Sequence, residues 1–153
     1  MNWRSLLFGI PFALMGAACR VSNSETTGGD VSIAIQQSLT GETTSAGTFT
    51  MTGALSDQGQ TSEQLAFGGP LTQSPVPVTF RRSLTGRKGS IIITGSASLT
   101  FTSPSEATLS GTWAVKSATG AYARGRGTLI GAANFGATPP TASLTYTGSL
   151  TRE

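Results

Sequence analysis

The chain has no histidine and a single cysteine, Cys19, in 153 residues. Without imidazole it lacks the commonest general base and the commonest metal ligand. Any catalysis would have to draw on carboxylates, Tyr, Lys, Arg or bound water. One thiol cannot form an internal disulfide, so strand pairing and core burial must hold the fold. Charge is also sparse: 11% of residues are charged, against about a quarter in ordinary soluble domains. The net charge of +3 is too weak to argue for a nucleic-acid partner. The acids are scattered, with no calcium-loop spacing and no close carboxylate pair. No metal and no cofactor is therefore expected. Aromatics are only 7% and form no girdles at strand ends.

What remains is glycine, serine, threonine and short apolar segments. Glycine is abundant, at 20 residues, and the hydroxyl residues supply most of the polarity. That composition suits many short strands joined by tight turns, not a disordered chain.

The first residues read as an export signal. Met1 to Arg4 is short and basic, Ser5 to Met15 is apolar, and Gly16-Ala17-Ala18 is a run of small residues. The order matches the three parts of a secretory signal. Its apolar run is too short to span a bilayer, which takes about 20 residues. Cys19 follows the small residues directly, which resembles the lipobox of bacterial lipoproteins. That resemblance implies lipidation of Cys19, and hence a membrane contact through the lipid. Gly16 stands where Leu is usual in that motif. Ordinary cleavage nearby is the alternative. Either way an extracytoplasmic location is expected, in the cell envelope or secreted. Residues 1–18 are read as the signal peptide and 19–30 as a flexible tether, since Arg20 to Asp30 has no apolar periodicity. Residues 31–151 are read as a β-barrel domain.

The body alternates with period two. Val31, Ile33, Ile35, Gln37 and Leu39 share a face, as do Phe49, Met51, Gly53 and Leu55. Ser56 to Gly59 reads as a turn and Glu63 to Phe67 as a short strand. Val78, Phe80, Arg82 and Leu84 share a face in Val76 to Thr85. Ser90 to Phe101 is long, with Gly95 placed for a bend or bulge. Leu109, Gly111, Trp113 and Val115 follow, then a single helical turn at Thr119 to Ala123. A Gly-rich strand runs from Gly125 to Ala133, and Leu144, Tyr146, Gly148 and Leu150 close the chain. About eight strands with no helical period predict an eight-stranded antiparallel β-barrel with an apolar lumen, or else a β-sandwich. The apolar face is expected inward. A lipid-facing barrel is disfavoured by the lack of aromatic girdles and by the ending Thr151-Arg152-Glu153.

The segment GTWAVKSATGAYARGRG at Gly111 to Gly127 resembles a signature of bacterial proteins similar to the allene oxide cyclase and dirigent barrels. GTFTMTGALSDQG upstream and LTYTGSL near the end fit the same pattern. The resemblance implies an eight-stranded antiparallel barrel with an apolar lumen. It also implies that some members steer a reactive intermediate by shape. The polar catalytic residues of the plant enzymes have no matching positions here, so activity does not carry over. Ser117-Ala118 stands where a Gly pair is common. The glycines have a structural reading of their own: a positive φ at Gly120, and close approach of strands or of Tyr122 at Gly125 and Gly127. GRG lacks the following helix that a dinucleotide site needs.

Arg82 is the most informative side chain. Its parity with Val78, Phe80 and Leu84 aims a guanidinium into an apolar lumen, where an unpaired charge is strongly unfavourable. Glu63 and Asp57 are the acids of matching parity. Gln37 and Tyr146 lie on the inward faces of their own strands. The candidate ligand-binding set is thus Arg82, Tyr146, Gln37, Glu63 and Trp113, suited to a ligand carboxylate or an enol. The alternative is that Arg82 sits at the rim and reaches water, and that Trp113 is core. Arg81, Arg87, Lys88, Arg124 and Arg126 form local basic patches, read as solvated turns or as contacts for anionic glycan or lipid headgroups. The expected function is a binding or scaffold module for a small apolar ligand or an envelope partner. The alternative is an isomerase or cyclase, or a dirigent-like guide, acting in the lumen. The pattern does not fix an oligomeric state.

Overall fold

The computed structural model describes residues 28–152. The expected signal peptide, Cys19 and the tether as far as residue 27 lie outside the described residues. Eight strands follow in order: β1 (Gly28–Leu39), β2 (Thr44–Gly53), β3 (Asp57–Phe67), β4 (Val76–Gly86), β5 (Ser90–Phe101), β6 (Glu106–Ala118), β7 (Gly125–Asn134) and β8 (Thr141–Thr151). Each pairs antiparallel with the next, and β1 pairs with β8, which closes the sheet into a barrel. Closure rules out the sandwich and leaves no exposed strand edge.

The period-two pattern decides which way each side chain points. Val31, Ile33, Ile35, Phe49 and Met51 are buried, whereas Thr48, Thr50 and Thr52 are exposed. Phe80, Trp113 and Tyr146 all point inward, and Tyr146 lies between the other two, with ring centroids 6.0 Å and 6.1 Å away. Each large apolar side chain so buried contributes roughly 1.5–3 kcal/mol. The outer faces carry Thr, Ser and Gln in place of an apolar band.

Four details differ from the sequence expectation. β1 begins at Gly28, so Gly28 to Asp30 belong to the sheet and not to the tether. β3 begins at Asp57, inside the expected turn, because Asp57 and Gly59 pair with Met51 and Phe49 of β2. The bulge falls on β6 at Lys116, between the pairs Ile92–Ser117 and Ile93–Val115, not at Gly95. Gly95 instead leaves room for the Phe80 ring, whose Cζ lies 2.6 Å from where a Cβ would stand. The helical turn is absent: Thr119 and Ala121 donate their N–H groups to Ser90 and Lys88 of the β4–β5 hairpin. Gly120 does take the positive φ, at 68°.

The meander gives the barrel two unlike ends. Loops 40–43, 68–75, 102–105 and 135–140 surround one end. The shorter loops 54–56 and 87–89, loop 119–124 and both described chain ends lie at the other.

Candidate functional site

The second end is closed from within. Tyr122, 2% exposed, donates its hydroxyl to Asp57 Oδ2 at 2.5 Å. Asp57 also accepts backbone N–H groups from Gln58 at 2.8 Å, Arg87 at 3.0 Å and Lys88 at 3.1 Å. Burial alone would raise the Asp57 pKa. The hydrogen bonds from Tyr122 and the three backbone groups outweigh it and hold the carboxyl below its ordinary value. Burial, then the Asp57 hydrogen bond and charge, push the Tyr122 phenol up.

The first end opens into an apolar chamber. Val78, Phe80, Leu99, Leu109, Leu129 and Leu144 form its walls. Leu39, Phe67, Phe135 and Pro140 stand at the mouth, each half-buried. The enclosed space is about 60 Å³, far below the roughly 300–1,000 Å³ of a pocket for a drug-sized ligand. A guest would therefore have to be slender, or move the half-buried side chains at the mouth.

The chamber floor is polar. Arg82, 0% exposed, donates from Nε to the Tyr146 hydroxyl at 3.1 Å and from Nη1 to Thr61 Oγ1 at 2.9 Å. Its Nη2 donates to Gln37 Oε1 at 2.7 Å and forms an ion pair with Glu63 Oε2. The second Glu63 oxygen accepts from Gln37 Nε2 at 3.1 Å and Ser45 Oγ at 3.2 Å. The β3–β4 register is the cause, since it sets Glu63 directly opposite Arg82 and Thr61 opposite Leu84. Gln37 bridges the pair, its carbonyl facing the cation and its amide the anion. That arrangement fixes which way the amide is turned.

The structure thus brings Arg82, Tyr146, Gln37 and Glu63 together and leaves Asp57 in the closed end. Arg82 does not sit at the rim. It lies behind the floor: Gln37, Glu63 and Tyr146 line the chamber and Arg82 does not. Trp113 is 3% exposed and also stands off the chamber. Its Nε1 donates to the backbone carbonyls of Thr128 at 3.0 Å and Thr147 at 3.2 Å. Thr61 and Ser45 were missed by the sequence reading. Strand parity would have found both had β2 and β3 been extended toward them.

The donors decide what the floor can hold. The Tyr146 oxygen accepts from Arg82, and none of the described residues accepts its proton. Burial first, with Glu63 adding and Arg82 opposing, pushes the Tyr146 pKa up to about 12. The phenol is therefore neutral at physiological pH, a donor and not a base. Gln37 has one amide hydrogen beyond the one given to Glu63. The Arg82–Glu63 pair is formally neutral, so the floor presents hydrogen-bond donors without net charge.

Closed eight-stranded antiparallel barrel with a polar-floored apolar lumen is the class that the fold and the site define. No family model, curated protein or solved structure matches the chain.

Proposed function

We propose that this is an exported binding barrel, held in the bacterial cell envelope through lipid on Cys19. Its guest would be a slender apolar molecule that ends in an uncharged oxygen acceptor, such as a carbonyl or ether. The observation that carries this reading is the Tyr146 hydroxyl at the base of the chamber, whose proton has no acceptor among the described residues. A ligand carboxylate fits less well, because Glu63 already neutralises Arg82 and lines the same floor. Apolar walls supply affinity and the phenol supplies orientation. Native mass spectrometry of the purified protein, followed by organic extraction, tests it. A co-purifying apolar carbonyl compound is the expected result. A protein that carries no guest and gains none from a panel of aliphatic aldehydes and ketones would reject the binding role.

A second reading is favoured by barrel closure around an apolar lumen. It is a barrel similar to allene oxide cyclase and dirigent proteins, guiding a reactive intermediate by shape. The same donor floor would hold the intermediate's oxygen. A stereochemical ratio of products that the protein leaves unchanged would remove that reading.

A further inference from the structure

Charge on the barrel is sorted by end. Arg87 and Lys88 in the β4–β5 turn, Lys116 at the bulge, Arg124 just before β7 and Arg126 at its start, and Arg152 after β8 all lie toward the closed end. All are exposed. The described acids there are Asp30 on β1 and Asp57, whose carboxylate is already engaged by Tyr122 and three backbone groups. The mouth carries Glu42 and Glu106 and, among the described residues, no Lys or Arg. Arg81 stands midway along β4. None of the closed-end cations joins a salt bridge among the described residues, where the ion pair is Arg82–Glu63.

Like charges crowded on one rim repel one another. An anionic partner would turn that cost into attraction. Two observations say which partner. The cations come from four separate segments spread along the rim from β4 to β8, a layout that meets a plane and not a groove. The chain also enters at this end, because Gly28 pairs with Thr151. The 27 residues before it include the export signal, which delivers the chain to a bilayer by this end and not to a glycan.

We infer that the closed end docks on an anionic phospholipid surface and points the mouth away from it. Each Lys or Arg near such a surface strengthens binding by roughly fivefold. The inference needs neither the lumen ligand nor lipidation of Cys19, so its test uses neither.

The exported chain, residues 19–153 with Cys19→Ser, is sedimented with phosphatidylcholine vesicles, with and without about 30% phosphatidylglycerol. Binding should favour the anionic vesicles by well over tenfold at about 0.1 M salt and lose that preference near about 0.5 M. The variant Arg87→Gln, Lys88→Gln, Arg124→Gln, Arg126→Gln should lose it too, while Glu42→Gln with Glu106→Gln keeps it. Equal binding to both vesicles, or a preference that survives the four substitutions, overturns the inference. Stronger competition by polygalacturonate than by anionic vesicles of equal charge overturns the lipid assignment. Orientation gives a second reading should the fourfold variant misfold. A fluorophore on Thr119→Cys should be quenched by a headgroup quencher, and one on Thr102→Cys should not. The reverse pattern also overturns the inference.

Discussion

Arg82 and Glu63 stand directly opposite each other in the β3–β4 ladder and form a fully buried ion pair, their side chains 0% and 3% exposed. Removing one member leaves the other charged in an apolar lumen, at a cost of about 3–5 kcal/mol. Arg82→Met and Glu63→Leu should each lose that much in urea denaturation. The double variant should lose clearly less than the two together, because no charge is then stranded. It still strands Gln37, Thr61, Ser45 and Tyr146 without their former partners, so it should stay below wild type. An additive double-mutant cycle would show that the pair is not coupled.

Alkaline titration reads both ends of the lumen at once. The two tyrosines of the chain are Tyr122 and Tyr146, and both are buried. Each has a folded pKa above the ordinary 10.0, about 12 for Tyr146. The folded state therefore binds more protons than the unfolded state above pH 10, and stability falls as pH rises from there. Below pH 10 the contribution is fully present. Phenolate absorbance should show no ordinary tyrosine titrating near pH 10 in the native protein, and both near pH 10 in concentrated urea. Asp57 acts on the acid side with the opposite sign. Its folded pKa lies below 3.8, so its contribution is present above 3.8 and is lost as pH falls through the lower folded value. Asp57→Asn should flatten that part of the acid profile.

The parity of strands was legible in the sequence, and with it the inward course of Arg82, Tyr146 and Gln37. Alternation is a local property, and few charges interrupt it. The pairing of Arg82 with Glu63 was legible only as a shared face. It takes the β3–β4 register to set them opposite each other, and register depends on where β3 starts. Ser56-Asp57-Gln58-Gly59 looks like a turn because its residues are polar and small. Asp57 enters the strand because Arg87, Lys88 and Tyr122, distant in sequence, supply its donors. The Lys116 bulge carries no glycine to announce it. At Thr119 to Ala123 the backbone bonds sideways to the neighbouring hairpin, a choice that local helix propensity does not contain.

The Gly-x-Gly of β7 has a steric cause that mutation can expose. A Cβ on Gly127 would lie 1.9 Å from the Thr147 carbonyl oxygen and 2.7 Å from Gly148 Cα. Both obstacles are backbone, so no side chain can swing aside. The Trp113 indole donates to carbonyls on both of these strands, which ties the close β7–β8 approach to the core. Gly127→Ala should therefore cost at least about 2 kcal/mol, at the upper part of the range for overpacking. Gly136→Ala is the control. Its Cβ would meet Asn134 Oδ1 and Ser105 Cβ at 3.2 Å, contacts that a loop can relax. Thermal melts of both variants check this, and equal losses would contradict the steric account.

Tyr146 separates binding from folding most cleanly. Its oxygen accepts from Arg82 while its proton has no acceptor among the described residues. Tyr146→Phe removes one acceptor for Arg82 and the phenol donor offered to a guest, and leaves the second Gln37 amide hydrogen in place. Arg82 keeps Glu63, Gln37 and Thr61, so the fold should survive with a loss of about 1–2 kcal/mol. Affinity for an apolar carbonyl compound should fall roughly fivefold to tenfold, the worth of one hydrogen bond. Affinity for the alkane of the same length should not change, since the apolar walls are intact. Calorimetric titration of the matched pair on wild type and variant gives the comparison. Equal losses for both compounds would mean that the phenol only fills space. An unchanged affinity for the carbonyl compound would mean that the guest, if one binds, stops short of the floor.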